Sequence, residues 1–213
     1  MESFEHIAGE MVDKPQIAAA VFQELNQKET EKIVETVYKA GFNARMRLAK
    51  MSCEETGIGV WEHKVLKNVL DTQKVYYNIR HLKTIGIISS NEITGITEIA
   101  QPLGPIFAII PVTNPTSTIL YKALICMKSR NPVIFSVHRN AGKFGKETVR
   151  LCYEAALKAG APVDCIQIVP EQSRELTKAL NPALTLGCGT GGKNITEEGF
   201  TAKQLSKEYY LNQ

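Results

Sequence analysis

The sequence predicts an α/β fold: a partial doubly wound parallel sheet with N-terminal helices and a protruding β-hairpin. Three observations predict it. Short apolar, β-branched runs alternate with helix-length segments over residues 104–169, a rhythm that calls for parallel pairing and right-handed crossovers. The stretch before them carries apolar residues at the three-and-four spacing of one helix face. Between the two lie a pair of β-branched runs joined by a turn-rich spacer.

In chain order, residues 16 to about 53 read as helix, with Ile17, Val21, Leu25, Ile33, Val34, Val37 and Ala40 as the buried stripe. Gly41 is expected to interrupt it, since glycine within a helix costs about 1 kcal/mol relative to alanine. Gly57-Ile58-Gly59 is a second stop. A further helix is expected over residues 62–80, with Val65, Val69, Val75 and Ile79 as its stripe. Plain helical packing accounts for all of these. Ile85-Gly86-Ile87-Ile88 and Ile96-Thr97-Glu98-Ile99 then predict a hairpin within residues 84–102, whose edges suit pairing with another subunit.

From Gly104 the expectation is strand 106–110, helix 116–129, strand 133–137, helix 142–159 and strand 165–169. A short helix over 173–180 and a strand over 183–186 follow, then the glycine cluster Gly187 to Gly192 and a polar tail. There is no internal repeat.

Composition narrows the function classes. The chain is 44% hydrophobic and 22% charged, ordinary for a globular protein. Its net charge is +3, from 25 basic and 22 acidic residues that alternate rather than cluster, so nucleic acid is not an expected partner. No apolar run approaches the roughly 18 residues of a membrane span. The acidic N-terminus lacks a signal-peptide layout, and a cytoplasmic location is expected. Cys53, Cys126, Cys152, Cys165 and Cys188 form no CxxC pair, and His6, His63, His81 and His138 are scattered, so neither spacing argues for a metal.

Chemistry is best placed at Ile110-Pro111-Val112-Thr113-Asn114-Pro115-Thr116-Ser117-Thr118, between the first buried strand and its helix. In an open parallel sheet, ligands are handled at the carboxyl ends of strands. The turn offers hydroxyls, one side-chain amide and a helix N-terminus that favours anionic or polarised oxygen. The same residues also read as an ordinary helix start, with Thr116 or Ser117 as N-cap.

Residues 111–118, together with Lys122, Arg130-Asn131-Pro132 and Ile134-Phe135-Ser136-Val137-His138, resemble CoA-acylating aldehyde dehydrogenases. Ala49-Lys50-Met51, Lys64-Val65-Leu66-Lys67-Asn68, Ala159-Gly160-Ala161-Pro162 and Cys165-Ile166-Gln167 extend the likeness. It covers roughly residues 16 to 180. It is nearest to the aldehyde half of bifunctional aldehyde–alcohol dehydrogenases, with acylating sulfoacetaldehyde dehydrogenases as a second candidate. The resemblance implies an aldehyde-dehydrogenase-type nucleotide-binding domain that uses NAD, with coenzyme A as co-substrate and a small aldehyde as substrate. It implies an oxyanion-hole amide at Asn114, the only amide in the turn, although an ungapped comparison with non-acylating members puts Thr113 in the amide's place. Pro111, Val112, Thr113 and Asn114, with Ser136 and His138 on the adenosine side, would line the cofactor. Non-acylating relatives carry a lysine here that this sequence lacks. It also implies a homo-oligomer joined through the 84–102 hairpin.

The family's chemistry needs a cysteine thiolate within a Cys-Ala-Ser-Glu-like segment, and none of the five cysteines has those neighbours. Pro182 to Thr190, with Gly192 and Asn194, resembles the far C-terminal stretch of the same family. The expectation is therefore two pieces, 1–180 and 181–213, joined across a missing catalytic domain, and a chain that is itself inactive. Two alternatives stand beside it: a non-enzymatic oligomerisation or regulatory module, and a residual NAD binder. Gly187 to Gly192 satisfies G-x-G-x-x-G, and Gly187 to Lys193 nearly spells a P-loop. The first lacks a following βαβ unit, and the second has Asn194 where Ser or Thr is needed. Cys188 among these glycines has no accompanying base.

Overall fold

The computed structural model describes residues 4–170, 176, 180 and 186–188. Helix α1 (Phe4–Glu24) starts well before the expected position and runs through Pro15. An interior proline costs about 3 kcal/mol. Here Ala8, Met11, Val12, Ala18, Ala19 and Phe22 place buried side chains on both sides of it, which offsets that cost. The buried stripe is rotated from the expected one: Ile17 and Val21 are 70% and 47% exposed.

The helix break falls at Leu25–Asn26 rather than at Gly41. Asn26 Oδ1 accepts from Glu29 N at 3.1 Å while Glu29 Oε2 accepts from Asn26 N at 2.9 Å, a reciprocal cap that starts α2 (Gln27–Thr56). Gly41 stays inside α2, where a Cβ would lie 2.6 Å from Leu120 Cδ2. It marks a close helix crossing, not a break. Gly57, in the left-handed region at φ 63°, ends α2.

Helix α3 (Trp61–Val69) continues through a π turn (Leu70–Lys74) into α4 (Val75–Ile79). The buried residues along it are Lys64, Asn68, Thr72 and Ile79, whereas the expected Val65, Val69 and Val75 are only half-buried. The face turned inward is largely polar. Beyond the π turn, Tyr76 stacks on Tyr38 of α2 with ring centroids 4.3 Å apart. Strands β1 (Gly86–Asn91) and β2 (Ile96–Ala100) then form the expected antiparallel hairpin, exposed along almost its whole length.

The sheet proper comprises β3 (Ile106–Ile110), β4 (Val133–Val137), β5 (Ile166–Ile168) and β6 (Leu186–Cys188), parallel in the order β5-β4-β3-β6. Helices α5 (Pro115–Lys128) and α6 (Gly142–Ala159) follow β3 and β4. Alternation along the strands sorts the core into two layers. Ile106, Ala108, Ile110, Val133, Phe135 and Val137 join the cluster that holds α2, α5 and α6. Phe107, Ile134 and Val169 pack instead with Ala8, Met11, Val12, Leu176 and Leu180. Both faces are covered, as a doubly wound sheet requires. Of the helix expected over 173–180, only Leu176 and Leu180 are described, both helical. The last strand is Leu186–Cys188; residues 183–185 of the expected strand lie outside the described residues.

Candidate functional site

β3 pairs with β4 on one side and β6 on the other, so the winding direction reverses beside β3. Such a reversal opens a crevice at the carboxyl end of the central strand, where ligands settle in open α/β sheets. The chain leaving β3 there is Pro111 to Asn114. Asn114 is the N-cap residue of α5, at φ −137° and ψ 55°, with Pro115 next in line. It replaces Thr116 and Ser117, both drawn into the buried helix instead. Its carbonyl accepts from Thr118 N at 3.1 Å and Thr118 Oγ1 at 2.7 Å.

The polar face of α3 holds this turn. Lys64 Nζ donates to the Thr113 carbonyl at 3.1 Å, and Lys67 Nζ donates to Asn114 Oδ1 at 2.7 Å. Thr116 Oγ1 donates to Asn68 Oδ1 at 2.9 Å. Asp71, in the π turn, hydrogen-bonds Ser117; burial pushes its carboxyl above the ordinary value, against the opposing pull of Ser117 and Lys67. Burial likewise holds the Lys64 ammonium below its usual pKa. The site is thus two elements, one strand-to-helix turn and one polar helix face.

Ser136 and His138 sit on the neighbouring strand. Ile109 pairs with Ser136 and Ile110 with Val137, so Pro111 and His138 leave adjacent strands at the same level. Ser136 is buried, whereas His138 is exposed and its Nδ1 accepts from Asn140 N at 3.2 Å. The start of α6 beyond it is occupied by a side chain of α2. Glu55 Oε1 and Oε2 accept from Lys143 N and Phe144 N, each at 2.9 Å. Glu55, Arg139, Gly142, Lys143, Lys146 and Pro170 line a cavity of about 330 Å³ at the same edge of the sheet. Three cations and one carboxylate surround it.

The structure therefore brings Pro111, Val112, Thr113, Asn114, Ser136 and His138 to one edge. Lys64, Lys67, Asn68 and Asp71 are polar neighbours of this turn and of the start of α5 that apolar periodicity does not mark. Of the cysteines, Cys126, Cys152 and Cys165 are buried in the core, and burial pushes the Cys152 and Cys165 thiols up to about 12. Cys53 is half-buried near the end of α2. The side chain of Cys188 lies outside the described residues.

A sequence profile of the aldehyde dehydrogenase family matches residues 5–192. The chain is 37% identical over 202 residues to aldehyde-alcohol dehydrogenase 2 of Entamoeba histolytica, covering 93% of this chain and 23% of that protein. It superposes with a TM-score of 0.86 on a probable aldehyde dehydrogenase from Listeria monocytogenes, at 36% identity over 91% of this chain and 44% of the other. A propionaldehyde dehydrogenase from Rhodopseudomonas palustris, solved with bound CoA and an acylated cysteine, matches at 27% identity and a TM-score of 0.73 over 86% of this chain and 42% of the other. The chain spans under half the length of each.

Proposed function

Because the chain belongs to the aldehyde dehydrogenase family, among its CoA-acylating members, we propose that it carries the nucleotide-binding side of an NAD-dependent aldehyde oxidation. In that reaction aldehyde, CoA and NAD⁺ become acyl-CoA, NADH and a proton. The observation that carries the reading is the turn from Pro111 to Asn114 at the carboxyl end of β3, where the winding of the sheet reverses.

In this reading Pro111, Val112 and Thr113 line the cofactor, and the Asn114 amide faces the aldehyde oxygen. Ser136 and His138 flank the adenosine side, next to the basic cavity at the start of α6. At about 330 Å³ that cavity falls at the lower end of the roughly 300–1,000 Å³ typical of ligand pockets. It fits part of a dinucleotide. NAD, when bound, supplies the hydride acceptor.

The thioester step needs an accessible thiolate. Cys126, Cys152 and Cys165 are buried, and Cys53, half-buried near the end of α2, lacks the Cys-Ala-Ser-Glu-like neighbours of the family's nucleophile. These 213 residues are accordingly proposed to bind NAD weakly and not to oxidise an aldehyde, with residues 1–180 and 181–213 meeting where a catalytic domain would otherwise intervene. The reading keeps a reducing, cytoplasmic setting. Calorimetry with NAD at about millimolar concentration tests the first part, and no heat overturns it. CoA-dependent NADH production from an aldehyde overturns the second.

A second reading, a homo-oligomerising module, is favoured by the hairpin, where Ile87, Ile88, Ile93, Ile96 and Ile99 are all exposed. Light scattering is expected to show oligomers; a monomer alone removes that reading.

A further inference from the structure

We propose that Lys67 is a positioning residue: it holds the Asn114 side chain in the one amide orientation that turns Oδ1 toward α3 and Nδ2 away from it, so that the turn reads hydrogen-bond acceptors. This rests on the nucleotide-and-aldehyde reading of the same turn and names the chemistry the turn selects, a carbonyl oxygen or the oxyanion formed from it.

The argument begins with donor inventory. An ammonium has three donors and no acceptor, so it can face only the oxygen of an amide. Lys67 Nζ lies 2.7 Å from Asn114 Oδ1, within the range of a charge-assisted bond. Flipping the amide would set Nδ2 against that cation. The planar amide then directs its two N–H bonds away from Oδ1.

The main chain adds no freedom of its own. Lys64 grips the Thr113 carbonyl, and the Asn114 carbonyl is taken by the backbone and hydroxyl of Thr118. Only the Asn114 side-chain torsions remain, and Lys67 settles those. Its own placement comes from α3, one turn after Lys64 and one turn before Asp71, whose negative charge acts on it. A cation on Oδ1 also draws electron density from the amide nitrogen, which strengthens Nδ2–H as a donor. A ligand oxygen that gains negative charge benefits most.

Lys67 is exposed, and a solvent-exposed charged contact contributes little to global stability. A stability loss is therefore not the diagnostic. The test is the side-chain NH₂ signal of Asn114 in ¹H–¹⁵N spectra of the 213-residue chain, assigned by its disappearance in N114A. In K67M the ¹⁵N signal is expected to move upfield, while the backbone amides of residues 116–128 report an unchanged helix. K67R restores a donor to Oδ1 and is expected to restore the signal. N,N-dimethylacetamide, a carbonyl acceptor with no donor, is then titrated in; it should perturb Asn114 Nδ2 in the wild type and lose that effect in K67M. An Asn114 signal indifferent to K67M, or a probe effect equal in both proteins, overturns the proposal. Failure of NAD to bind by calorimetry would instead overturn the cofactor reading and leave these spectra as they are.

Discussion

Asn68 and Thr116, 48 residues apart, share a buried hydrogen bond of 2.9 Å in which the threonine hydroxyl donates to the amide oxygen. The amide nitrogen of Asn68 donates onward to the Arg45 carbonyl, also at 2.9 Å. One side chain therefore ties α3 to both α2 and α5 through polar contacts where a hydrophobic ridge would be usual. Truncation to N68A strands the buried Thr116 hydroxyl, while the Arg45 carbonyl keeps its place in the α2 ladder. Such a loss costs about 1–3 kcal/mol, and the midpoint of thermal unfolding should fall by about 2–4 °C per kcal/mol for a chain of this size. Calorimetry of N68A that matched the wild type would show that the link is dispensable.

Lys64 sets a pH dependence. Burial is the largest influence on it and lowers its pKa from the model-peptide value of 10.5, with the Cys53 charge opposing and Lys67 adding to the fall. Between its lowered folded pKa and 10.5, the unfolded chain binds the proton that the folded chain has released, so stability rises with pH across that window. Urea midpoints of the wild type should climb relative to those of K64M as pH approaches 10.5. Tyr76, whose pKa is raised mainly by burial, is common to both proteins and cancels. Parallel curves would remove Lys64 as the cause.

Thiol reactivity should separate the cysteines by burial. Iodoacetamide at about pH 8 attacks thiolates, and thiols pushed up to about 12 at Cys152 and Cys165 supply almost none. Among the four described cysteines, peptide mass mapping should find Cys53 labelled first, with Cys126, Cys152 and Cys165 labelled only on unfolding. Early labelling of Cys152 would mean that α6 opens far more readily than its packing implies.

Two glycines should respond oppositely to alanine. At Gly145, where α6 lies on β4, a Cβ would meet Val137 Cγ1 at 2.6 Å and its Cβ at 3.3 Å. Overpacking of this kind costs about 1–3 kcal/mol, so G145A should unfold at lower urea. Gly9, with nothing within 4 Å, should gain from the helix preference of alanine by up to about 1 kcal/mol in G9A.

How much of this was legible in the sequence depended on what each element buries. Strands β3 and β4 match their expected bounds because Ile106 to Ile110 is a continuous apolar run and Val133 to Val137 is one broken only by Ser136, framed by Gly104-Pro105 and Pro132. The Thr113–Asn114 turn was legible for the same reason: it had to follow β3. The helix expected over 62–80 was legible as a helix, but its inward face was not, because apolar spacing pointed to Val65 and Val69 while Lys64, Asn68 and Thr72 face inward. Their four-residue spacing was available as a signal, but a polar stripe ordinarily marks the solvated side. Gly41 misled for a related reason, since a glycine demanded by Leu120 looks the same in sequence as one that ends a helix.

The π turn at Leu70–Lys74 gives the rod from α3 to α4 a phase offset. Residues after it are set back by about 100°, one residue's rotation, from where an unbroken α-helix would carry them. That offset lets a single continuous segment point Lys64 at the turn after β3 and Asn68 at the start of α5, and still stack Tyr76 on Tyr38. Deleting one residue from the turn would restore regular helix and force a choice between the two ends. This stretch should therefore accept many changes of side chain but almost none of length.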